Sequence, residues 1–487
     1  MDISTRTSHI AYRLQENVEM SEREDGVAVI SPFFQITIAP LSQSLRRILL
    51  LLADTTCSAR QINTAIREAH EENMLTTFYR YLSSLLRHQM LFIYAGSEDR
   101  STPLATLIPI SSYVQHQWIN VRAEQAYQMS RFAYIRRAED GMSYLESPLA
   151  HARIRLEHPV TTQVIYHLGK AITPCELIQA IPEEEKDNLI SVLALLVMGN
   201  FAAPTTPTGR LHEEEDETLQ QWDFHDLLFH SRSRTGRHNN PLGGTYRFLR
   251  QLPPQPAIKQ APWPATISLP RPDRERMRSE DPGLEAVMEA RASLRDYGTE
   301  PITLAQLAEF LYRVARVKEV YDDDDSGEFT VRPFPGSGAS YEMEFYLTID
   351  RCEGLQPGFY WYDPLQHALA LIQESNKDTA RLLYEAYQAM GAPAQPQVLI
   401  TLAARFQRVS WKYQSIAYAL ILKNVGVIYA TMYLVATAMD LAPCALGVGD
   451  SDHFTKLSGT NYLQETSVGE FALGSKPTPT SEIEEIR

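Results

Sequence analysis

Two stretches of the front half are versions of one pattern. Residues 31–66 read SPFFQITIAPLSQSLRRILLLLADTTCSARQINTAI, and residues 147–181 read SPLAHARIRLEHPVTTQVIYHLGKAITPCELIQAI. Each opens on Ser-Pro, runs through a short alternating stretch, enters a helical apolar pattern, reaches a cysteine and closes on Ala-Ile. A second amphipathic helix with a strand-like tail follows each copy, YLSSLLRHQMLFIYA in the first and LISVLALLVMGNFAAP in the second. Helix, turn, helix and a short β wing outline a winged-helix unit, so the front is read as two such units, residues 1–115 and 116–208. Two copies are too few for a solenoid.

Winged helices often read DNA, and charge argues against that role here. Residues 1–205 hold 18 Lys and Arg against 22 Asp and Glu, and the whole chain of 487 residues carries a formal charge of −15. A duplex-binding surface needs the opposite sign. Peptide binding or a structural role fits the front half better. The four cysteines, Cys57, Cys175, Cys352 and Cys444, are scattered with no C-x-x-C pair, which points to a reducing cytoplasm rather than a disulfide framework or a zinc site. The N-terminus has no apolar signal core and neither end has a lipidation box. The longest apolar run, VGVIYATMYLVATAM at 425–439, is shorter than the roughly 18 residues of a membrane span and is expected to be a helix buried on all sides.

Residues 209–265 are read as a linker and lead-in. The acidic PTTPTGRLHEEEDETLQQ and the proline-rich LPPQPAIKQAPWPATISLPRP have linker composition. Between them His225, His230 and His238 bracket Arg232, Arg234 and Arg237. No carboxylate or cysteine stands at ligand spacing, so the segment suggests positioning of an anionic or peptide partner, not a metal.

Residues 266–487 have a mixed α/β pattern. A helix over PITLAQL is capped by Thr303 with Gln306 three residues on, EMEFYLTID and PQVLITLAA read as strands, and Asp322 to Asp325 as a solvated loop. Three constellations could carry chemistry. In RASLRDYG the alternating Arg291, Ser293 and Arg295 would point one way from an extended segment, presenting two guanidinium forks and a hydroxyl to an anion, or else form a solvated basic edge. In RPFPGSGASYEMEFY, Ser337, Gly338 and Ala339 form a turn where backbone can approach a flat ligand. Lys412 and Tyr413 stand at the start of a long helix as a pair able to pass a proton, and Gly447 and Gly449 mark another place for close approach beyond it.

Together, R-x-S-x-R before a capped helix, a P-x-S-G-A turn before a strand, and a buried helix entered through KY and NVG resemble the flavin-dependent nitroreductase superfamily. The branch is that of the azoline dehydrogenases, and WDFHDLLFHSRSR with two winged-helix-like units in front is similar to the cyanobactin oxidases. The resemblance implies an α+β fold: an FMN domain with a central sheet flanked by helices, behind two winged-helix-like units that resemble leader-recognition elements. It further implies that Arg291, Ser293 and Arg295 hold the FMN phosphate, that Ser337, Gly338 and Ala339 line the isoalloxazine, and that Lys412 and Tyr413 serve catalysis. The expected reaction oxidises a thiazoline or oxazoline of a heterocyclised precursor peptide to the azole, with oxygen as electron acceptor, in a cytoplasmic homodimer that binds neither nucleic acid nor membrane. The turn departs from the pattern by an inserted glycine (PGSGAS), and Gly426-Val427 stands where glycine-histidine is usual. Two rivals are a nicotinamide-dependent nitro or quinone reductase on the same fold, and an idle peptide-binding scaffold.

Overall fold

Two capping boxes start equivalent helices 115 residues apart in the front half: Ser58 with Gln61, and Thr173 with Glu176. In each, the hydroxyl accepts from a first-turn N–H and the longer side chain accepts in return from the cap's own N–H, so the helix start is set by sequence alone. The computed structural model describes residues 10–24, 26–96, 102–117, 119–181, 189–264, 266–323, 327–391 and 393–477. The first nine residues of the N-terminal stretch, and Asp324 and Asp325, lie outside these. The chain divides at Asn240 and Pro241 into two units, a break inside the stretch read as linker and lead-in.

In the front unit the first copy is β1 (Ile10–Leu14), β2 (Glu19–Glu22), β3 (Val27–Ile30), β4 (Gln35–Ile38), α1 (Gln43–Asp54), β5 (Cys57–Ser58), α2 (Ala59–Glu68), α3 (Leu75–Arg87) and β6 (Leu91–Ala95). A bridging strand, β7 (Ala105–Pro109), precedes the second copy: β8 (Tyr127–Met129), β9 (Tyr134–Arg137), β10 (Ser143–Glu146), β11 (Ala152–Leu156), α4 (Pro159–His167), α5 (Pro174–Ala180), α6 (Leu189–Met198) and β12 (Ala202–Pro204). The duplication extends beyond the quoted stretches. In both copies the first strand pairs antiparallel with the last, β1 with β6 and β8 with β12, and also with the residues before the second helix. Both third helices end through a left-handed residue, Gln89 (φ 57) and Asn200 (φ 61).

The copies are not separate bodies. β7 pairs with β6 on one side and β11 on the other, giving one seven-stranded sheet in the order β5-β1-β6-β7-β11-β10-β9. One apolar core runs through both, from Tyr12 and Leu49 to Leu193 and Phe201. The acidic stretch after it is also no free linker: Glu213 accepts from Ser130 Oγ and the Arg131 N–H, each at 2.7 Å. α7 (Phe224–Arg232) follows, with His230 stacked on Trp222 and His238 buried.

The back unit comprises β13 (Gly243–Gly244), β14 (Ile267–Ser268), α8 (Arg274–Glu280), α9 (Leu284–Ala290), α10 (Leu304–Ala315), β15 (Glu319–Asp323), β16 (Gly327–Val331), β17 (Met343–Ile349), β18 (Gly358–Asp363), β19 (Ala368–Glu374), α11 (Lys377–Met390), β20 (Val398–Arg405), α12 (Phe406–Ser410), β21 (Tyr413–Gln414), α13 (Ala417–Ala438), β22 (Leu441–Leu446), α14 (Ser451–Ser458) and β23 (Glu465–Ser475). Its antiparallel sheet runs β14-β19-β18-β17-β20-β23-β22. Alternate residues face opposite layers: Phe345 and Leu347 pack with α10 and α13, Tyr346 with α11 and α14.

Three expectations change here. The proline-rich stretch is a strap rather than a linker, because prolines lack N–H donors and their segment's carbonyls need outside partners. Arg405 donates to the Pro256 carbonyl, Arg408 to that of Gln255, and Trp411 Nε1 to that of Leu252 at 2.8 Å. Asp322 and Asp323 lie in β15, an exposed strand paired with β16, not in a loop. The apolar helix is not buried on all sides. α13 begins eight residues earlier than the apolar run and has the length and hydropathy of a membrane span, yet only 33% of its most apolar window is buried. A stripe through Ile421, Val425, Ile428, Met432 and Ala436 packs on the core, while Leu422 stays 39% exposed.

Candidate active site

The segment after α9 is neither helix nor strand, and its side chains gather on α13 and on β22. Ser293 Oγ lies 2.7 Å from the Tyr433 hydroxyl, which accepts from the Ala445 N–H at 2.8 Å. The Arg291 guanidinium lies 5.4 Å from the centroid of the same ring. Arg295 faces Cys444: burial pushes that thiol up, against the Arg295 guanidinium, which lowers it. Leu294 fixes the path by donating its N–H to the Pro443 carbonyl at 2.8 Å. Both arginines remain exposed, so two guanidiniums and a hydroxyl stand together with donors unused by backbone ladders. Tyr433, the hub of this cluster, was not legible in the sequence; a tyrosine in an apolar helix reads as core.

The glycine-rich turn and the Lys-Tyr pair come together. Gly338 is left-handed (φ 53, ψ 37), and a Cβ there would run into Tyr413 Oη and lie 2.7 Å from Lys412 Nζ. Glycine is therefore favoured by the left-handed conformation, and any side chain would displace the tips of Lys412 and Tyr413. Lys412 Nζ donates to the Gly338 carbonyl at 3.2 Å. Its ammonium sits 5.5 Å from the Tyr246 and Tyr413 ring centroids and 5.8 Å from that of Phe329. The pair does not start the long helix: Lys412 lies in a turn after α12 and Tyr413 in β21, four residues ahead of α13. The reason is pairing with β13, reinforced by the Tyr246 N–H donating to the Lys412 carbonyl at 3.1 Å. Tyr246 thus joins the site from the lead-in segment, with no signal in the sequence beyond its neighbouring glycines.

Ser337 leads inward. Its hydroxyl donates to Asn424 Oδ1 at 3.1 Å, and Asn424 Nδ2 donates to Glu342 Oε1 at 2.8 Å. Glu342 is fully buried, its Oε2 has no hydrogen-bond partner among the described residues, and burial raises its carboxyl above the ordinary range despite the Asn424 bond. Ala339, also left-handed at φ 57, closes the turn.

Gly447 and Gly449 follow β22 and stand apart from the turn. A side chain at Gly447 would meet open space, whereas one at Gly449 would run into the Glu470 carboxylate. Gly449 is thus explained by Glu470, whose carboxyl is pushed up to about 7 by burial first and by the Glu385 charge, against a Ser467 hydrogen bond.

The ten sequence-predicted residues therefore form three groups, and a single chain does not merge them. Asn424 and Tyr433 are nine residues apart on α13, about 13 Å along the axis and two and a half turns around it, so the turn and the arginine cluster lie on opposite flanks of its buried stripe. The cavity beside Lys412, between Tyr246, Phe329 and Trp411, holds about 20 Å³. The residues fit the two ends of FMN: exposed guanidiniums with Ser293 suit a phosphate, and the side-chain-free turn at Gly338, backed by Lys412 Nζ and Tyr413 Oη, suits a flat ring. No group of three His, Cys, Asp or Glu able to hold a metal occurs among the described residues.

Two family models match the chain. "Cyanobactin oxidase ThcOx" matches residues 127–239, from the first strand of the second copy to the end of the front unit. "Nitroreductase family" matches residues 288–475, from α9 to the end of β23. "Putative nitroreductase MJ1384" of Methanocaldococcus jannaschii is 29% identical over 182 residues, 37% of this chain and 84% of the relative. Among solved structures, a Ralstonia eutropha protein of the same description aligns with a TM-score of 0.35 and 19% identity, covering 47% of this chain and 100% of that one. The E. coli microcin synthetase McbBCD complex with truncated pro-MccB17 bound aligns with a TM-score of 0.32 and 16% identity, over 46% of this chain and 78% of that one.

Proposed function

We propose that this chain, a nitroreductase-family oxidoreductase whose front unit carries a cyanobactin oxidase segment, is an FMN-dependent oxidase that turns peptide thiazolines or oxazolines into thiazoles or oxazoles. The observation that carries the reading is the packing of Lys412 and Tyr413 against Gly338: it sets two proton-handling groups on the turn that would line a flat ring. FMN, when bound, supplies two-electron acceptance, with oxygen as the final acceptor. Arg291, Ser293 and Arg295 would hold its phosphate by charge-assisted contacts. Ser337, Gly338 and Ala339 would face the ring.

Two hydrogens leave the azoline ring as it becomes aromatic, one of them as a proton. Tyr413 Oη as a phenolate, or Lys412 Nζ as a neutral amine, is the base placed to take that proton, and each would favour the other's state. The four thiols stay free, as in a cytoplasmic protein.

A second copy would complete the site. The two halves of the FMN fit lie on opposite flanks of α13, and that helix with α9 leaves apolar side chains open, Leu284 at 67% and Met288 at 60% exposed. A homodimer covers this face and sets one copy's turn against the other's arginine cluster.

The test starts with the visible spectrum of the purified protein and the mass of its released cofactor, for wild type and Arg295→Ala. Bound FMN that is lost in the variant supports the flavin site. Mixing with a thiazoline peptide in air should then remove two hydrogens from the peptide, whereas flavin bleaching by NADPH with an unchanged peptide would favour the reductase reading. A colourless protein that takes up no added FMN sinks both.

A further inference from the structure

Glu342, the residue before β17, is a buried carboxylate that folding alone does not account for. Its backbone carbonyl accepts from the Arg405 N–H at 3.0 Å, but no cation among the described residues donates to its side chain. Arg405 pairs with Glu344 and donates to the Pro256 carbonyl, while Arg408 donates to the carbonyls of Ser340, Gln255 and Glu328. Burial outweighs the Asn424 bond and the pull of both arginines, and raises the Glu342 carboxyl. Leucine or methionine would fill the same volume without an oxygen left unpartnered among the described residues.

What the carboxylate does is fix donor and acceptor roles along three residues. Glu342 Oε1 accepts from Asn424 Nδ2 at 2.8 Å. An ionised carboxylate can only accept, which settles the end of the Asn424 amide that faces it. Protonation leaves that answer unchanged, because the unpartnered Oε2 is the atom free to carry the proton. Asn424 Oδ1 then faces Ser337 Oγ at 3.1 Å, and an amide oxygen can only accept, so the Ser337 hydroxyl spends its single proton there. No other described group bonds to that hydroxyl. Lone pairs are all that Ser337 Oγ has left to offer a ligand.

We propose that Glu342 is a positioning residue: through Asn424 it holds the Ser337 hydroxyl as a hydrogen-bond acceptor toward the flavin ring, and so favours the reduced ring. The reduced ring carries an N–H that the oxidised ring lacks, and an acceptor fixed before the electrons arrive stabilises that form without reorganising. Without Glu342 the Asn424 amide is free to turn end for end. Ser337 can then donate instead, which favours the oxidised ring, whose nitrogens and carbonyls accept. This inference rests on the flavin reading of the turn.

The test is the midpoint potential of bound FMN, titrated against a reference dye in Glu342→Gln and Glu342→Leu, each with and without Ser337→Ala. Both substitutions at 342 remove the charge, and they differ in whether an acceptor faces Asn424, so their comparison isolates the relay from plain electrostatics. Reduced flavin should be about tenfold less favoured in Glu342→Leu than in Glu342→Gln, about 30 mV for a two-electron couple. In the Ser337→Ala background that gap should vanish, because Glu342 acts through the hydroxyl; a role in packing alone would leave it. Should Glu342→Leu fail to fold by circular dichroism, Asn424→Ala replaces it. Asn424→Ala breaks the relay at a helical position that suits alanine, changes no charge, and should lower the potential by a similar amount from wild type, again only while Ser337 is present. No gap, a gap of the opposite sign, or one that survives Ser337→Ala overturns the inference and leaves the flavin site standing. A wild type that takes up no FMN overturns the flavin reading and this inference with it.

Discussion

The two units bury different things. The front unit's described core is almost wholly apolar, with Glu146 its one buried carboxylate, paired to Arg136 at 2.8 Å. The back unit buries Arg332, Glu342, Glu344, Arg405, Arg408 and Glu465 in or beside its central strands. Glu344 accepts from Trp361 Nε1 at 3.1 Å and pairs with Arg405 at 3.4 Å, while Lys259 reaches from the proline-rich strap to Glu465 at 2.7 Å. Buried charges are costly unless paired and hydrogen-bonded, so a fold does not gain stability by collecting them. The contrast teaches that the front unit is built for holding shape and surface. The back unit gives up stability to keep polar groups around a site.

The contrast can be broken by mutation, most severely in the back unit. Glu344→Ala leaves Arg405 buried without its carboxylate and should destabilise by about 3–5 kcal/mol, read from urea unfolding of the full chain; a loss under about 1 kcal/mol would mean the pair is solvated. In the front unit Leu193→Ala removes a side chain 1% exposed and should lose about 2–4 kcal/mol by the cavity alone, with no change in released cofactor.

Glu470 sharpens the comparison through pH. Burial and the Glu385 charge hold its folded carboxyl up to about 7, above its unfolded value, so the folded state binds the extra proton. Stability from this group is present below the ordinary carboxylate range, is lost as pH rises towards about 7, and is flat above. Glu470→Gln should flatten unfolding free energy between about pH 5 and 7; an unchanged slope would show that Glu470 ionises normally. The smallest expected effect compares the two copies. Ser58→Ala and Thr173→Ala each remove one half of a capping box and should each cost about 1 kcal/mol, so unequal losses would show that the duplicated helices are not equally exposed to their caps.

Much of the local structure was legible. The capping box at Thr303 and the strands Met343–Ile349 and Val398–Arg405 follow from side-chain periodicity and caps, which act within a few residues; the repeat was seen too, but each copy has three helices where two were read, because the quoted stretch breaks into two at its cysteine. The alternation of Arg291, Ser293 and Arg295 picked out three side chains that share one neighbourhood around Tyr433 and β22, on a segment that forms no strand. Lys412 and Tyr413 were found as a pair but set on the wrong element, because the two-residue strand that Tyr413 opens owes its form to Gly243 and Gly244, some 170 residues earlier. Tyr246, Asn424 and Tyr433 left no mark, since each reads as an ordinary residue until its partner is known.

What the sequence determined by itself is therefore short-range: the repeat, the helix starts, the strand faces, and a glycine at 338 where the turn is left-handed. Tertiary structure alone decided that β7 stitches the copies into one sheet, that a proline-rich stretch is strapped down by Arg405 and Arg408, and that the turn and the arginine cluster lie on opposite flanks of α13. The physical reason is the range of the interactions. Caps, φ preferences and periodicity act on neighbours along the chain, whereas strand pairing and the satisfaction of buried polar groups depend on partners that only the folded chain brings within a few ångströms.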